Sequence, residues 1–267
     1  MPELPEMETY RIFLNHNIIN KPISKVEINR EKSINRSVSD FIAQVQGKAV
    51  TKVKRRAKHL IFELNSCQYL LLHLMLGGWM FLGNENNAPD RTKQVILSFG
   101  ELKLYFIGLR LGYLHLVSKE ELDNKLKDLG PEPFDMRIAD FVERISKKKG
   151  ALKPLLVNQR FLAGIGNCYS DEICFEARLK PGKKADELSR NQIHALFNAI
   201  KPLLRKAIEL GGYMDHPMFE GDQKTGGYNN SLLVYGREGK GCYRCGTQIE
   251  KMEISSNKSF YCPSCQE

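Results

Sequence analysis

QVILSFGELKLYFI, residues 94–107, consists of two apolar, β-prone runs separated only by Gly100-Glu101. A two-residue connection of the Gly-X type closes a hairpin, because glycine takes the left-handed conformation that suits the twist of antiparallel strands. Similar short runs surround it: PISKVEI at 22–28, HLIFEL at 59–64 and YLLLHLML at 69–76. Many short strands between about 22 and 118 imply a sandwich or barrel. Upstream, Met7, Tyr10, Leu14 and Ile18 recur at helical spacing, so a helix is expected from near Pro5, whose missing N–H suits a first turn.

Downstream, Gly130-Pro131-Glu132-Pro133 continues neither element type and marks a linker at 131–136. The sequence then turns helical. Ile193, Leu196, Phe197, Ile200, Leu204, Ala207 and Ile208 form an apolar stripe, Ser189 and Gln192 read as a capping box, and Gly211-Gly212 as the stop. Pro202 should kink this helix. Residues 211–232 follow without periodicity, too long for an ordinary connection and therefore functional or disordered. The expected division is 1–130 β-rich, 137–232 helical with the aperiodic 211–232 loop at its end, and 233–267 cysteine-rich.

The 267 residues are 42% hydrophobic, enough for a core, and carry 40 Lys+Arg against 31 Asp+Glu, for a charge of +9. Disordered and disulfide-scaffold classes are excluded. The charge makes polyanions the first partners to consider, nucleic acid ahead of an anionic membrane. No apolar stretch reaches the roughly 18 residues a bilayer span needs. MPELPEMETY is acidic where a secretory signal would be basic and then apolar, so a cytoplasmic, nucleoid-associated location is expected.

Of seven cysteines, four lie as Cys242-x2-Cys245, sixteen residues, then Cys262-x2-Cys265. That is the spacing of a closed, structural four-thiolate zinc site. The intervening residues form a β-hairpin whose tip carries Ser255, Ser256, Asn257 and Lys258, either a phosphate contact or a solvated turn. Lys52-Val53-Lys54-Arg55-Arg56-Ala57-Lys58 is either a charged edge that resists aggregation or a phosphate grip. Lys147-Lys148-Lys149 with Lys153 is a second cluster. It precedes Gly164-Ile165-Gly166-Asn167, a glycine turn opening a helix, which is either a tight turn or an anion site.

Four motifs in order resemble the formamidopyrimidine-DNA glycosylase / endonuclease VIII family. They are Pro2-Glu3-Leu4-Pro5-Glu6-Met7-Glu8-Thr9; Arg55-Arg56-Ala57-Lys58; Gly164-Ile165-Gly166-Asn167 with Tyr169 and Asp171-Glu172; and Val234-Tyr235-Gly236-Arg237 followed by the paired cysteines and Gln266. They span essentially the whole chain. The resemblance implies an α+β multidomain protein: an N-terminal helix with a two-layer β-sandwich, a helix-two-turns-helix module over about 137–210, and a zinc-finger hairpin. It implies a monomer holding double-stranded DNA with a damaged base or abasic site between two lobes. It implies structural Zn2+ on Cys242, Cys245, Cys262 and Cys265, and Lys153, Gly166 and Asn167 on the DNA backbone.

The implied activity is bifunctional, base excision followed by abasic-site cleavage. With Met1 removed, Pro2 presents a secondary amine whose nominal pKa near 8 leaves a neutral fraction. That amine attacks C1′, displaces the base and forms an iminium, from which β- and δ-elimination follow. Glu3 is the acid/base candidate, Glu6 supports the site, and Lys58 meets a phosphate or the base. A retained Met1 would turn the amine into an amide.

Other positions depart from the family. Where the branch acting on oxidised purines carries a Met wedge and a later Arg and Phe, this chain has Leu76, Leu109 and Leu111, with Met75 a second wedge candidate and Arg110 the only nearby donor. Leucines can wedge between bases. Leu109 cannot read a cytosine. Asn257 stands where the family has a phosphate-gripping Arg, with Lys258 adjacent. These changes predict a lyase-competent enzyme with a lesion spectrum altered from 8-oxoguanine:C. The alternative is a weakly catalytic or non-catalytic damaged-DNA binder of the same fold.

Overall fold

The computed structural model describes residues 1–267 and divides into two compact units. The first comprises Met1–Lys127 with Leu210–Gly227, the second Asp128–Glu209 with Tyr228–Glu267. Thus 210–227 belongs with the N-terminal elements rather than with the helix that precedes it.

In the first unit, α1 (Leu4–Asn17) begins one residue before Pro5, and the stripe Met7, Tyr10, Leu14 and Ile18 is buried in the main core. Four-stranded antiparallel sheets form the two layers. One pairs β1 (Lys25–Ile28), β6 (Lys93–Phe99), β7 (Leu102–Ile107) and β5 (Trp79–Gly83), in that order. The other runs β2 (Val50–Arg56), β3 (His59–Leu64), β4 (Tyr69–His73), β8 (Tyr113–Val117). Gly100, at φ +71°, makes the two-residue β6–β7 turn. Alternation sends Leu60, Phe62, Leu97 and Leu104 into the shared core. On the outer face of the second sheet, Ile61, Leu71 and Val117 pack against Leu122 of α3 (Lys119–Leu126). Between β1 and β2 the sequence pattern suggested only strands. The chain instead forms α2 (Val38–Val45), started by Ser37 accepting the Asp40 amide.

The second unit contains α4 (Ile138–Ser146), α5 (Leu152–Val157), α6 (Asn167–Glu176) and α7 (Arg190–Glu209). Ser189 and Gln192 exchange capping bonds of 2.9 and 3.3 Å at the start of α7, as their spacing predicted. The helix is continuous through Pro202. The hairpin of β9 (Glu250–Ile254) and β10 (Asn257–Tyr261) turns at Ser255-Ser256, both left-handed at φ +49° and +62°. No helix is long and apolar enough to cross a membrane.

Candidate active site

Pro2 and Glu3 are buried at the N-terminus of α1. Glu3 and Glu6 form a reciprocal capping box, in which the Glu3 amide donates to Glu6 Oε2 at 2.8 Å. Glu6 Oε1 accepts the Tyr213 amide at 2.9 Å, so both its oxygens are fixed. Gly212, at φ +76°, permits this: a Cβ there would lie 2.3 Å from Glu6 Oε1. The Tyr213 hydroxyl donates to the Met1 carbonyl at 3.2 Å. No local pattern signals this link, since its partners stand more than 200 residues apart.

Lys58 occupies the two-residue turn between β2 and β3, after Ala57 at φ +54°. It is almost fully buried. Burial pushes its ammonium below the ordinary lysine range, and the Glu3 and Glu6 carboxylates oppose that shift. A buried acid pair with a buried lysine in its field, next to Pro2, is a grouping that could move protons. The cations at 52–58 do not all face one way: Lys52 and Lys54 are exposed, Lys54 pairing with Glu63 at 2.5 Å, whereas Arg55 is turned onto Glu8 at 2.9 Å and Lys58 is buried.

Beside Lys58 the second sheet carries an unforeseen imidazole cluster. The His59 and His73 rings lie 4.4 Å apart, His59 Nε2 is 3.2 Å from the Tyr113 hydroxyl, and His115 stacks on Tyr113. Burial, with help from neighbouring cations, lowers these pKa values to about 3 for His59 and about 4 for His73 and His115. All three values lie below that of an unfolded histidine. Their contribution to stability is therefore fully present above pH ~6.5 and lost as pH falls through about 4 for His73 and His115 and about 3 for His59. Imidazole NMR signals from these three should show no titration between pH 8 and 5; a midpoint near 6.5 would refute the assignment.

Leu76 and Leu111 are 63% and 62% exposed at loop tips, and Arg110 is exposed beside them. Leu109 is fully buried in the sandwich core, so it is no wedge; its amide is held by Gln94 at 3.1 Å. Backbone-to-backbone contact locks the two loops together. A Cβ on Gly108, at φ +71°, would meet the Gly77 carbonyl oxygen at 2.0 Å. Arg30 and Ser33 brace the same loop through the Arg110 and Leu109 carbonyls, at 3.1 and 3.3 Å.

In the second unit, Asn167 is the one exposed residue of the run 161–175. Gln159 shapes the glycine turn, accepting the Gly164 amide at 2.8 Å and donating to the Ile165 carbonyl at 2.7 Å. Gly166 is the buried N-cap residue of α6. Lys153, expected on the DNA backbone, is wholly buried instead. Its ammonium lies 2.8 Å from Asp171 and donates to the Asn167 carbonyl at 2.6 Å, because the adjacent core carboxylate holds it inward. Asp171 also accepts the Ser259 hydroxyl and the Phe260 amide, joining α6 to β10. Burial raises the Asp171 pKa to about 6, opposed by Lys153. Tyr228 is likewise buried in this unit against Tyr169, rather than forming part of the 211–227 segment. Asn257 shares a strand face with Ser259, whereas exposed Lys258 points to the other, so its charge does not take over Asn257's place.

The four Cys242, Cys245, Cys262 and Cys265 sulfurs lie within 4.8 Å of one another. The Cys242–Cys265 and Cys245–Cys262 separations are 3.9 and 3.5 Å. A tetrahedral zinc with Zn–S bonds of ~2.3 Å sets sulfurs about 3.8 Å apart, so the thiolates fit a structural zinc. Around them Phe175, Val234 and Ile249 form only a small core, which leaves the metal to staple the hairpin.

Comparison with known proteins agrees with this arrangement. The formamidopyrimidine-DNA glycosylase N-terminal domain matches residues 1–113, its H2TH domain residues 129–216, and the zinc finger found in FPG and IleRS residues 239–267. Formamidopyrimidine-DNA glycosylases of Listeria innocua and Pelotomaculum thermopropionicum are each 35% identical; the alignments cover all of this chain and 100% and 99% of theirs. A Lactococcus lactis FPG variant in complex with Fapy-dG-containing DNA superposes with a TM-score of 0.92 at 32% identity, over all of both chains. Lactococcus lactis Fpg with abasic-site DNA gives the same score and identity over 99% of each. With three family domains matched in order and relatives aligned over its whole length, the chain belongs to the formamidopyrimidine-DNA glycosylase family.

Proposed function

We propose that the protein excises damaged bases from double-stranded DNA and cleaves the resulting abasic site, using Pro2 as nucleophile. The supporting observation is the burial of Pro2 beside the Glu3–Glu6 capping box, with Lys58 in the field of both carboxylates. Removal of Met1 converts the Pro2 nitrogen into a secondary amine. The amine adds to C1′ as the base leaves, and loss of the ring C1′–O bond gives an iminium, with Glu3 delivering a proton to the ring oxygen. The iminium acidifies the 2′ protons, and successive eliminations release the 3′ and then the 5′ phosphate. Glu6 positions Glu3 and Tyr213, and Lys58 balances negative charge at the reacting sugar.

Leu76 and Leu111 fill the space of the extruded nucleotide, with Arg110 facing the opposite strand. Asn167 and the Gly166 turn meet the backbone, Lys153 positions Asn167, and Asn257 and Lys258 contact phosphates from the zinc hairpin. Leu109 is buried and offers no donor to a cytosine, which leaves Arg110 as the one exposed donor beside the wedge leucines and supports a lesion spectrum altered from 8-oxoguanine:C.

Borohydride reduction in the presence of abasic-site DNA tests the chemistry. Protein lacking Met1 should form a covalent adduct, and protein with an N-terminal extension before Pro2 should form none. Tight binding of damaged DNA by the mature protein, with no adduct, would establish the non-catalytic binder instead.

A further inference from the structure

A nucleophile at Pro2 attacks the sugar, and the base on that sugar must be received beside it. Pro2 and Glu6 share a small cavity with Trp79, Met214, His216 and Met218. Its volume of ≈ 10 Å³ is room for about one water. The aromatic wall consists of Trp79, at the start of β5, and His216. Their rings stand perpendicular, at 89°, with centroids 4.8 Å apart.

The two partners differ in how firmly they are held. The indole is buried and packs edge-on against Phe81, in a cluster with Tyr105 and Ile107 on the outer face of its sheet. His216 is 45% exposed, with Asp215 at 3.4 Å. The segment carrying it is fastened on both sides. Tyr213 donates its amide to Glu6, while the Leu82 amide donates to the Met218 carbonyl at 2.8 Å and Phe219 stacks on Phe13 at 5.1 Å. Only the short span 214–217 lies between these anchors. His216 can therefore leave the indole without undocking the rest of the segment.

We propose that Trp79 is the stacking platform for the everted base and that His216 holds that place until a base arrives. This rests on Pro2 being the nucleophile. The ligand class is any planar damaged purine or pyrimidine still attached to its nucleotide. Stacking uses the π-face that all bases share, so the platform selects for an extruded base rather than for one hydrogen-bonding edge.

Trp79 is the only tryptophan, so its emission reports on this wall directly. The experiment titrates the protein with two uncleavable duplexes of one sequence, carrying either a carbocyclic oxidised purine nucleotide or a tetrahydrofuran abasic analogue. The base-bearing duplex should change the emission well beyond the abasic one, and His216→Ala should shift the emission of the free protein. Trp79→Leu should lower single-turnover base excision about 10- to 100-fold more than it lowers cleavage of a preformed abasic site. Trp79→Phe should restore most of that difference.

Equal emission responses to the two duplexes, or equal losses in excision and abasic cleavage, would overturn the platform. Borohydride trapping of the wild type on abasic DNA separates the two failures. An adduct alongside equal responses refutes only the platform, and no adduct refutes Pro2 as nucleophile.

Discussion

Glu3→Gln is expected to lower base excision by about 10²- to 10⁴-fold, the range ascribed to a positioned acid/base, while cleavage of a preformed abasic site falls far less. Glutamine is isosteric and keeps an oxygen able to accept the Glu6 amide, so the start of α1 and the capping box survive. What disappears is the proton that the Glu3 carboxyl gives to the sugar ring oxygen. Once the base is gone, that transfer no longer limits the reaction. Glu6→Gln is the informative contrast. Glu6 accepts backbone N–H groups at both oxygens, from Glu3 at 2.8 Å and Tyr213 at 2.9 Å. An amide offers only one oxygen, so one of these donors would face an NH2 group, and both activities should fall together as the site loosens. Single-turnover rates on lesion and abasic duplexes, with melting temperatures as a control on folding, decide the matter. Unchanged excision in Glu3→Gln would remove Glu3 from the chemistry.

What could be read in advance was what neighbouring residues determine among themselves. The Gly100-Glu101 turn, the α1 stripe and the Ser189–Gln192 box depend on contacts within a few residues, and all are present. The paired CxxC spacing is equally local, and its sulfurs converge. The errors lie where a side chain's direction is set by a distant partner. Lys153 reads as a surface cation until Asp171, eighteen positions on, draws it into the core. Leu109 reads as a loop residue until the close approach of Gly108 to Gly77 turns it inward. Tyr213 and Tyr228 look alike in one loop, yet they fall in different units, one on Glu6 and the other against Tyr169. Trp79 and His216, far apart in sequence and in runs of unlike character, carried no signal that they meet.

Asp171→Ala should destabilise the second unit by about 3–5 kcal/mol, because it strands the Lys153 ammonium in a site with no access to water. Both side chains are 0% exposed. The loss also frees the Ser259 hydroxyl and the Phe260 amide, which Asp171 accepts at 2.5 and 3.0 Å, so β10 loses its tie to α6. Removing both charges avoids the stranded ammonium but not the loss of the acceptor for Ser259 and Phe260: Lys153→Met with Asp171→Leu should recover only the part of the stability that the unpaired charge cost. Function should not recover with it. The Lys153 ammonium donates to the Asn167 carbonyl at 2.6 Å, and this bond fixes the one exposed residue of the turn. The double variant should melt between Asp171→Ala and the wild type yet bind abasic-site duplex more weakly than the wild type, with a salt dependence little changed because no phosphate contact made by Lys153 itself is lost. Calorimetric melting and binding isotherms at several salt concentrations separate these effects. A double variant as unstable as Asp171→Ala would show that the pair does more than neutralise itself. A salt slope reduced by about one unit would put Lys153 on a phosphate after all.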